Sequence, residues 1–501
     1  MTEKLKVFSI NGELSAADYL LCMLLALACT ASPYYRSSGE CRFSLAFWLT
    51  AFSFFAVLLL CSGAIRTFLS MSETYPMDNG VICELMGKVL ARPHHDFIIA
   101  VFIFACWLPS ICFLYPGTLI NDTWGQLNQF IIYGFTGHYL FDNHPVFDTI
   151  LMGTAIVPLS VKTGQWHAVI FCYVLIQAIA TATVFSYVVN YVYSRLKLGP
   201  GAALFTLLYY CILPLYPASV QTVSKDALFS WIYTLYTVLI TEFVRTRGQS
   251  LKSWKSLLSF TAVLILCCLT KKAGPLVVIP AYLIVWLTLQ RKSLRLLLPA
   301  VVSILLMILI LPVCFAAWNI GPGGKQEPLS MPFQMTARYV REHSDDITEE
   351  EYRILDKVLE MDTIVENYNP VSADPVKRYS QRGDDEDYPA YLKVWFRQGL
   401  RHPLSYLKAF NCMLAGWFSW EENDPLMNMD WHSQHNPKLI PDWVPTRSFS
   451  AATAAAYQEY YHKLYNMPIF RLLLSYGFYT ALVPAFAIVT ALKKGKRKTG
   501  A

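Results

Sequence analysis

Apolar residues collect in long runs along most of the chain, and short polar stretches separate one run from the next. A run of about 20 apolar residues is what an α-helix needs to cross a bilayer. Such runs occupy 19–31, 43–63, 97–115, 166–193, 202–218, 228–244, 257–269, 275–289, 296–318 and 470–491, and 146–161 is a further, shorter run. The pattern predicts an all-α polytopic membrane protein with about ten or eleven transmembrane helices.

The composition points to the same class. The chain has 501 residues, of which 55% are hydrophobic and 15% are charged, and its mean hydropathy is +0.37. A soluble fold could not cover that much apolar surface with so few charged residues. The 13 cysteines lie mostly inside the apolar runs, where they act as small hydrophobic residues. They indicate neither a disulfide scaffold in the exported part nor a CxxC metal site.

Basic residues between the runs predict the orientation, because cytoplasmic loops of membrane proteins are enriched in Lys and Arg. Clusters of this kind are Arg66, Lys88 and Arg92; Arg195 and Lys197; Arg245, Arg247, Lys252 and Lys255; Arg291, Lys292 and Arg295; and the tail from Lys493 to Lys498. All lie on one side if 146–161 is a tilted or re-entrant helix, so both termini are expected in the cytoplasm. These anchors also account for the net charge of +6, which therefore suggests no nucleic-acid partner.

The distribution of apolar and charged residues divides the chain into three parts. Residues 1–318 form a predicted membrane module that contains an outer loop, 116–148. Residues 319–467 form a predicted extracytoplasmic segment, mainly helical, in which Thr348 and Glu351 are spaced as a capping box. Residues 468–501 supply the last transmembrane helix and a basic tail. A polar stretch, 1–18, precedes the first apolar run, and we expect no cleavable signal peptide.

The outer loop carries the strongest candidates for chemistry. It has no Lys or Arg, and its ionisable groups follow a membrane-spanning run, where such groups are costly and usually functional. On a helix that begins near Asn121, the side chains of Asp122, Gln126 and Gln129 share a face. A carboxylate flanked by amides and by Trp124 can bind a sugar or take a proton from a hydroxyl. The alternative is that Asn121 or Asp122 only caps the helix.

A second polar cluster, Asp142-Asn-His-Pro, closes this loop. His144 can bind a phosphate or hydroxyl group and Asp142 can act as a second acid. The alternative is a polar turn before a helix that starts with Pro145. Asp122 and His144 could also hold a divalent metal ion, but no spacing rule supports this, so we expect no metal or other cofactor.

Three further groups are candidate substrate contacts. Lys225 at the outer end of two helices is suited to a phosphate, with Asp226 either orienting it or capping the next helix. Lys271 and Lys272 follow an apolar run on the predicted outer side, where they bind either an anionic substrate or lipid headgroups. Gln334 and Arg338 are one helical turn apart in the extracytoplasmic segment.

Five motifs together resemble a bacterial family of multispanning proteins. They are Tyr-Pro-Gly-Thr-Leu-Ile-Asn-Asp at 115–122, Asn-His-Pro at 143–145, Ser-Lys-Asp-Ala-Leu-Phe at 224–229, Leu-Thr-Lys-Lys-Ala-Gly at 269–274 and Leu-Ser-Met-Pro-Phe-Gln-Met-Thr-Ala-Arg at 329–338. The resemblance covers roughly residues 97–420. That family is similar to the GT-C superfamily of membrane glycosyltransferases, which includes protein O-mannosyltransferases and aminoarabinose transferases of lipid A. Related sequences often have Arg-Asn-Asn-Gly where this chain has Lys271-Lys-Ala-Gly.

The resemblance implies a glycosyltransferase of the bacterial plasma membrane. Its donor would be a sugar on polyprenyl phosphate, and its acceptor a cell-envelope glycan, lipid or protein. Lys225, with Lys271 or Arg338, would hold the phosphate, and Asp122 would act as general base in an inverting displacement. Two other classes remain open: a flippase or transporter for a lipid-linked sugar, and a non-catalytic subunit of an envelope assembly.

Overall fold

The computed structural model describes residues 16–74, 80–136, 140–289, 293–378, 383–420 and 451–483. Its elements are almost entirely helical, and its strands are two-residue pairs within that part of the chain. Several helices are long and apolar enough to cross a bilayer. The protein is therefore an all-α polytopic membrane protein, as the hydropathy pattern predicts.

The first half of the chain contains ten helices and three short strands among the described residues. They are α1 (Ala16–Ser38), α2 (Leu45–Thr74), α3 (Val81–Leu90), α4 (His95–Phe113), β1 (Thr118–Leu119), α5 (Asn121–Thr136), β2 (Leu140–Phe141), α6 (Val146–Thr163), α7 (Trp166–Asn190), α8 (Gly199–Ile212), α9 (Leu215–Val220), β3 (Thr222–Val223) and α10 (Lys225–Arg245).

The described part of the second half continues with helices and one more short strand. They are α11 (Trp254–Thr270), α12 (Gly274–Thr288), α13 (Leu298–Leu305), α14 (Leu311–Ala317), β4 (Ile320–Gly321), α15 (Ser330–Glu342), α16 (Glu349–Asp356), α17 (Asp374–Arg378), α18 (Asp387–Arg401), α19 (Pro403–Leu414), α20 (Ala451–Tyr465) and α21 (Pro468–Leu474). π-helical turns extend α7 to Arg195 and join α13 to α14.

Five of the described helices have the length and composition of a membrane span. They are His95–Phe113, Val146–Thr163, Trp166–Arg195, Lys225–Arg245 and Leu294–Ala317. Four shorter apolar helices accompany them: Leu45–Leu60, Gly199–Ile212, Trp254–Thr270 and Gly274–Thr288. The predicted last span, 470–491, continues past the described residues, as does the basic tail. The total of ten or eleven crossings therefore remains a prediction.

Helix α6 bears directly on the predicted orientation. The sequence pattern treats 146–161 as a short run, whereas the helix has 18 residues and is long enough to cross. A full crossing would move Arg195 and Lys197 to the outer side, against the usual distribution of basic residues. The orientation of the chain stays a prediction.

The chain groups into two compact units. Unit 1 comprises 1–75, 324–423 and 465–501, and unit 2 comprises 76–323 and 424–464. The division at residue 318 follows hydropathy, which is a different property from compactness, so it remains a prediction about the membrane. In unit 1 the capping box at Thr348 and Glu351 is confirmed, and the helix it starts ends at Asp356.

Among its described residues, unit 2 has two apolar cores that hold its helices together. One packs α4 against α7 and α8 around Trp107, which is fully buried and donates a hydrogen bond to the Tyr210 carbonyl oxygen at 2.9 Å. The other packs α10, α11 and α12 around Phe260 and Tyr282. These cores hold the helix ends that carry the polar motifs.

Candidate functional site: a cluster of lysine–aspartate pairs

A two-residue parallel bridge brings the first two motifs together. Strand β1 pairs with β3, with Thr118 opposite Thr222 and Leu119 opposite Val223. Because the strands are parallel, the residues that follow them leave at the same edge. Helix α5 begins after β1 and helix α10 after β3, so Asp122 and Lys225 meet although 103 residues separate them.

Amide side chains support this bridge from both sides. Gln177 on α7 donates from Nε2 to the carbonyl oxygens of Val220 and Thr222, at 2.8 and 2.9 Å. The Gln221 side chain accepts from the Thr118 backbone amide at 2.9 Å. Gly117 has φ 114° and lies so close to this strand that a β-carbon would be 2.8 Å from the Gln221 carbonyl oxygen. Glycine is therefore required at this turn.

A second parallel bridge positions the Asp142 motif. Strand β2 pairs with β4, and the Asp142 amide donates to the Gly321 carbonyl oxygen at 2.9 Å. The chain then turns through His144 and Pro145 into α6. The polar turn is thus anchored at one end by backbone pairing and at the other by a helix.

Lys225 is the centre of the cluster. Its ammonium group forms an ion pair with the Asp122 carboxylate and lies 2.9 Å from Nδ1 of His144. The Lys225 side chain is 12% exposed and that of Asp122 is 42% exposed. The cation is therefore held inside the protein while the carboxylate faces outward, where a substrate can reach it.

Two more lysine–aspartate pairs lie beside the first. Lys271 pairs with Asp226, and Lys272 pairs with Asp142, whose Oδ2 is 2.9 Å from Nζ. Helix α10 is capped by Ser224, which accepts from the Ala227 amide at 3.1 Å. Neither role expected for Asp226 is therefore observed, because Ser224 caps the helix and Asp226 pairs with Lys271.

Several helices begin at this cluster. Asp122 is in the first turn of α5, His144 precedes α6, Lys225 opens α10, and Lys271 and Lys272 precede α12. Helix N-termini carry partial positive charge and unpaired amide groups, which favour bound anions. The three ammonium groups beside them are each paired with an aspartate, so the cluster offers an anion both helix N-termini and lysines that can exchange partners.

The surroundings shift the acidity of the two exposed aspartates in opposite directions. Burial alone would raise the pKa of Asp122, but its hydrogen bond and charge interaction with Lys225 hold that pKa below the ordinary value. For Asp142, burial outweighs the attraction of Lys272 and its pKa is raised. Asp122 is therefore kept ionised, while Asp142 holds a proton more readily.

The structure adds a carboxylate that the motifs do not contain. Asp148, in the first turn of α6, is fully buried, and neither of its oxygens accepts a hydrogen bond from any described residue. Its charge interacts with those of Lys225, Asp226 and Lys271. A buried carboxylate without a partner is costly and needs an explanation. The sequence carries a signal for this residue, since Asp148 is the acidic residue of a mostly apolar helix.

Of the two amides predicted to share a face with Asp122, Gln126 is buried and Gln129 is half-buried. Gln126 donates to the Thr149 hydroxyl at 2.9 Å, while its Oε1 and that of Gln129 have no hydrogen-bond donor among the described residues. Trp124 is buried on the same helix. The Asn121 side chain lies outside what the structure describes.

Gln334 and Arg338 belong to unit 1 and are fully buried there. Gln334 donates to the Ser372 carbonyl oxygen at 2.7 Å. Arg338 donates to the Gly39 carbonyl oxygen at 2.7 Å and to Glu342 at 2.8 Å. These contacts are internal to the unit, and binding of a substrate by either residue remains a prediction.

The sequence leaves open a divalent metal ion between Asp122 and His144, and in the structure the Lys225 ammonium lies between these two side chains. Both groups contact the Lys225 ammonium, so a cation supplied by the chain itself already bridges them. The geometry adds no support for a metal at this point.

Fold and site together define a helical multispanning membrane protein with an anion-suited cluster of lysine–aspartate pairs. The chain belongs to a family of unknown function (DUF6020), which matches residues 134–499. That range contains His144, Lys225 and Lys271 and begins after Asp122. Neither the curated proteins nor the solved structures include a match to this chain.

Proposed function

We propose that the protein is a membrane glycosyltransferase that moves a sugar from a polyprenyl-phosphate donor to an acceptor hydroxyl in the cell envelope. The observation that supports it most is the meeting of three lysine–aspartate pairs at the start of several helices. Each ammonium group is balanced by its own aspartate, so a lipid-linked phosphate would bind here by exchanging with a carboxylate at the helix N-termini. The membrane is the bacterial plasma membrane, with this cluster on the outer side and both termini in the cytoplasm.

Binding of the donor and activation of the base are coupled through Lys225. Without donor, the ammonium pairs with Asp122 and lowers its pKa, which makes the carboxylate a weak base. A phosphate oxygen competes for the same ammonium. When Lys225 turns toward the phosphate, Asp122 loses its counter-charge and its basicity rises. The base is thus active when the donor is in place.

The chemical step is a single displacement. Asp122 takes the proton of the acceptor hydroxyl, and the acceptor oxygen forms a bond to the anomeric carbon of the donor sugar. The bond from that carbon to the phosphate oxygen breaks, and polyprenyl phosphate leaves with the electron pair. Lys225, with Lys271, offsets the growing negative charge of the leaving group. Attack from the opposite face inverts the anomeric configuration.

The test is Asp122→Asn in the full chain, purified in detergent. The substitution keeps size and hydrogen bonding but removes the base, so release of polyprenyl phosphate from labelled donor should fall roughly 10²–10⁴-fold. The matched control is Asp96→Asn, since Asp96 also opens a membrane helix of unit 2 and lies outside the cluster. Its release rate should equal that of the wild type.

Transfer by Asp122→Asn at a near wild-type rate would remove Asp122 as the base. A flippase gives a different result: the labelled lipid crosses liposome membranes while its sugar–phosphate bond stays intact. Translocation without release, tested against extracted envelope acceptors, would replace the transferase proposal by the flippase.

A further inference from the structure

Unit 1 contains two histidines and an aspartate that no part of the proposed transfer reaction uses. Helix α15 ends at Glu342, and His343 begins a short 3₁₀ turn, Ser344–Asp346. Residues three apart on a 3₁₀ turn project to the same side. This places the side chains of His343 and Asp346 together.

His402 joins them from the corner between α18 and α19. It precedes Pro403, which favours an extended backbone at the residue before it, and its φ is −133°. The two imidazole rings stack with centroids 3.7 Å apart and an interplanar angle of 11°. The Tyr339 ring lies 5.5 Å from each of them.

The polar contacts of this group resemble those of a ligand set. Nε2 of His402 lies 2.6 Å from the Asp346 carboxylate. Nε2 of His343 lies 3.0 Å from the Ser405 hydroxyl, which donates to Glu342 at 2.6 Å. Metal-binding histidines commonly donate their other ring N–H to a polar acceptor that fixes the ring, and the Ser405 hydroxyl is placed as such an acceptor for His343.

One ligand atom from each of His343, Asp346 and His402 lies within 4.8 Å of the others. The nearby Arg401 does not compete for the carboxylate, since it binds the Asp346 backbone oxygen at 2.7 Å and the Glu351 carboxylate at 3.0 Å. The histidines are half-buried and Asp346 is exposed, so an ion can reach the group from solvent.

We propose that His343, Asp346 and His402 bind a divalent metal ion of the zinc type. Imidazole nitrogen and carboxylate oxygen suit Zn²⁺, and three protein ligands leave a fourth position for water. The ion takes the place of the proton between His402 and Asp346. Zinc bonds of about 2.0–2.1 Å need the ligand atoms roughly 3.3 Å apart, so the exposed Asp346 side chain withdraws from its 2.6 Å contact with Nε2 of His402, and the two stacked rings turn so that a nitrogen of each points at the ion. The ion ties the end of α15 to the corner between α18 and α19.

The test uses the full chain in detergent, treated with chelator and then titrated with Zn²⁺. We expect the midpoint of thermal unfolding to rise with Zn²⁺ in the wild type, because an ion that binds the folded state stabilises it. His402→Asn and Asp346→Asn should weaken the site more than about 100-fold, and Ser405→Ala about 10–100-fold. His167→Asn, an exposed histidine of unit 2, is the control and should bind as the wild type does.

Asp346→Asn keeps the test open if a histidine variant fails to fold, since asparagine retains a hydrogen bond to His402. Equal Zn²⁺ affinity and stabilisation in the wild type and Asp346→Asn would overturn the site, as would a wild type that binds no Zn²⁺. The outcome is independent of glycosyl transfer, because the readouts are metal content and unfolding.

Discussion

The Asp122–Lys225 pair of unit 2 and the Arg338–Glu342 pair of unit 1 are chemically alike but differ in what surrounds them. The Arg338 side chain has no exposure, and its donors are taken up by a backbone oxygen and a carboxylate of its own unit. Asp122 is 42% exposed, and its partner is a lysine that also contacts His144.

Under the proposed function, the difference in exposure separates a structural ion pair from one that can exchange with a ligand. Arginine donates in a fixed planar fork, whereas a lysine ammonium turns easily on its flexible chain. We therefore expect a phosphate to draw Lys225 away from Asp122 more readily than it reaches the unexposed Arg338. The sequence motifs contain both residues and do not distinguish them.

Substitution of Arg338 should give the largest effect on stability. Arg338→Met removes a fully buried guanidinium from the Gly39 carbonyl oxygen and from Glu342, which is half-buried and keeps its hydrogen bond from Ser405, and we expect a loss of about 3 kcal/mol in the free energy of unfolding. Arg353→Met removes the exposed Arg353–Glu349 pair and should cost less than about 1 kcal/mol. A tenfold loss of donor affinity in Arg338→Met at unchanged stability would instead support a substrate contact.

Substitution of Lys225 should act on the donor. Lys225→Ala removes a hydrogen-bonded charge from a mostly buried position, which is worth about 1.5–3 kcal/mol, so donor affinity should fall roughly tenfold or more. Lys225→Arg should retain part of it. Measured binding of polyprenyl-phosphate sugar decides the matter, and an unchanged dissociation constant for Lys225→Ala would contradict the phosphate site.

The pH dependence of glycosyl transfer should depend on the Asp122–Lys225 pair. Burial alone would raise the pKa of Asp122, and the contact with Lys225 lowers it. A base works only when deprotonated, so kcat/KM falls as the pH drops through this pKa. In Lys225→Ala the opposing contact is lost, and the acidic limb of residual activity should move to higher pH. An acidic limb at the wild-type position would show that Lys225 does not control the base.

Substitution of Lys271 should give the smallest effect. Its pair with Asp226 is more exposed than that of Lys225, with side-chain exposures of 35% and 51%. Exposed pairs contribute up to about 1 kcal/mol, so Lys271→Ala should weaken donor binding less than about fivefold. A loss of donor affinity as large as that of Lys225→Ala would show that the two lysines contribute equally to donor binding and that burial does not determine their contributions.

Hydropathy was sufficient to predict the helical membrane class, because apolar runs of spanning length have few other uses. The motif residues Asp122, His144, Lys225 and Lys271 were found as separate polar interruptions. Their pairing was not predictable, since nothing local in the sequence indicates that β1 meets β3. Asp226 shows the limit of local spacing as evidence. Its position predicts either a helix cap or an orienting contact to Lys225, whereas its observed partner, Lys271, is 45 residues away in the chain.

Asp148 and Arg338 show a second limit, because the sequence does not tell which residues packing will bury or which distant residues they will contact. Asp148 lies within the run 146–161, which the hydropathy pattern treats as short and apolar, and its burial depends on how α6 packs against neighbouring helices. Arg338 sits in a motif, yet its carbonyl partner at Gly39 is 299 residues away in the chain. Burial and distant partners decide what such residues do, and both come from packing.

Because β1 precedes β3 by about a hundred residues, the bridge between them can form only late during synthesis, after both strands have been made. Asp122 leaves the ribosome 103 residues before Lys225. At about 5–20 residues per second, the carboxylate waits roughly 5–20 s for its counter-ion. During that interval a nascent chain has the acidic loop without the cation that neutralises it. Water must solvate the Asp122 carboxylate until then, and a chain truncated before α10 would present an acid without its Lys225 partner at the membrane.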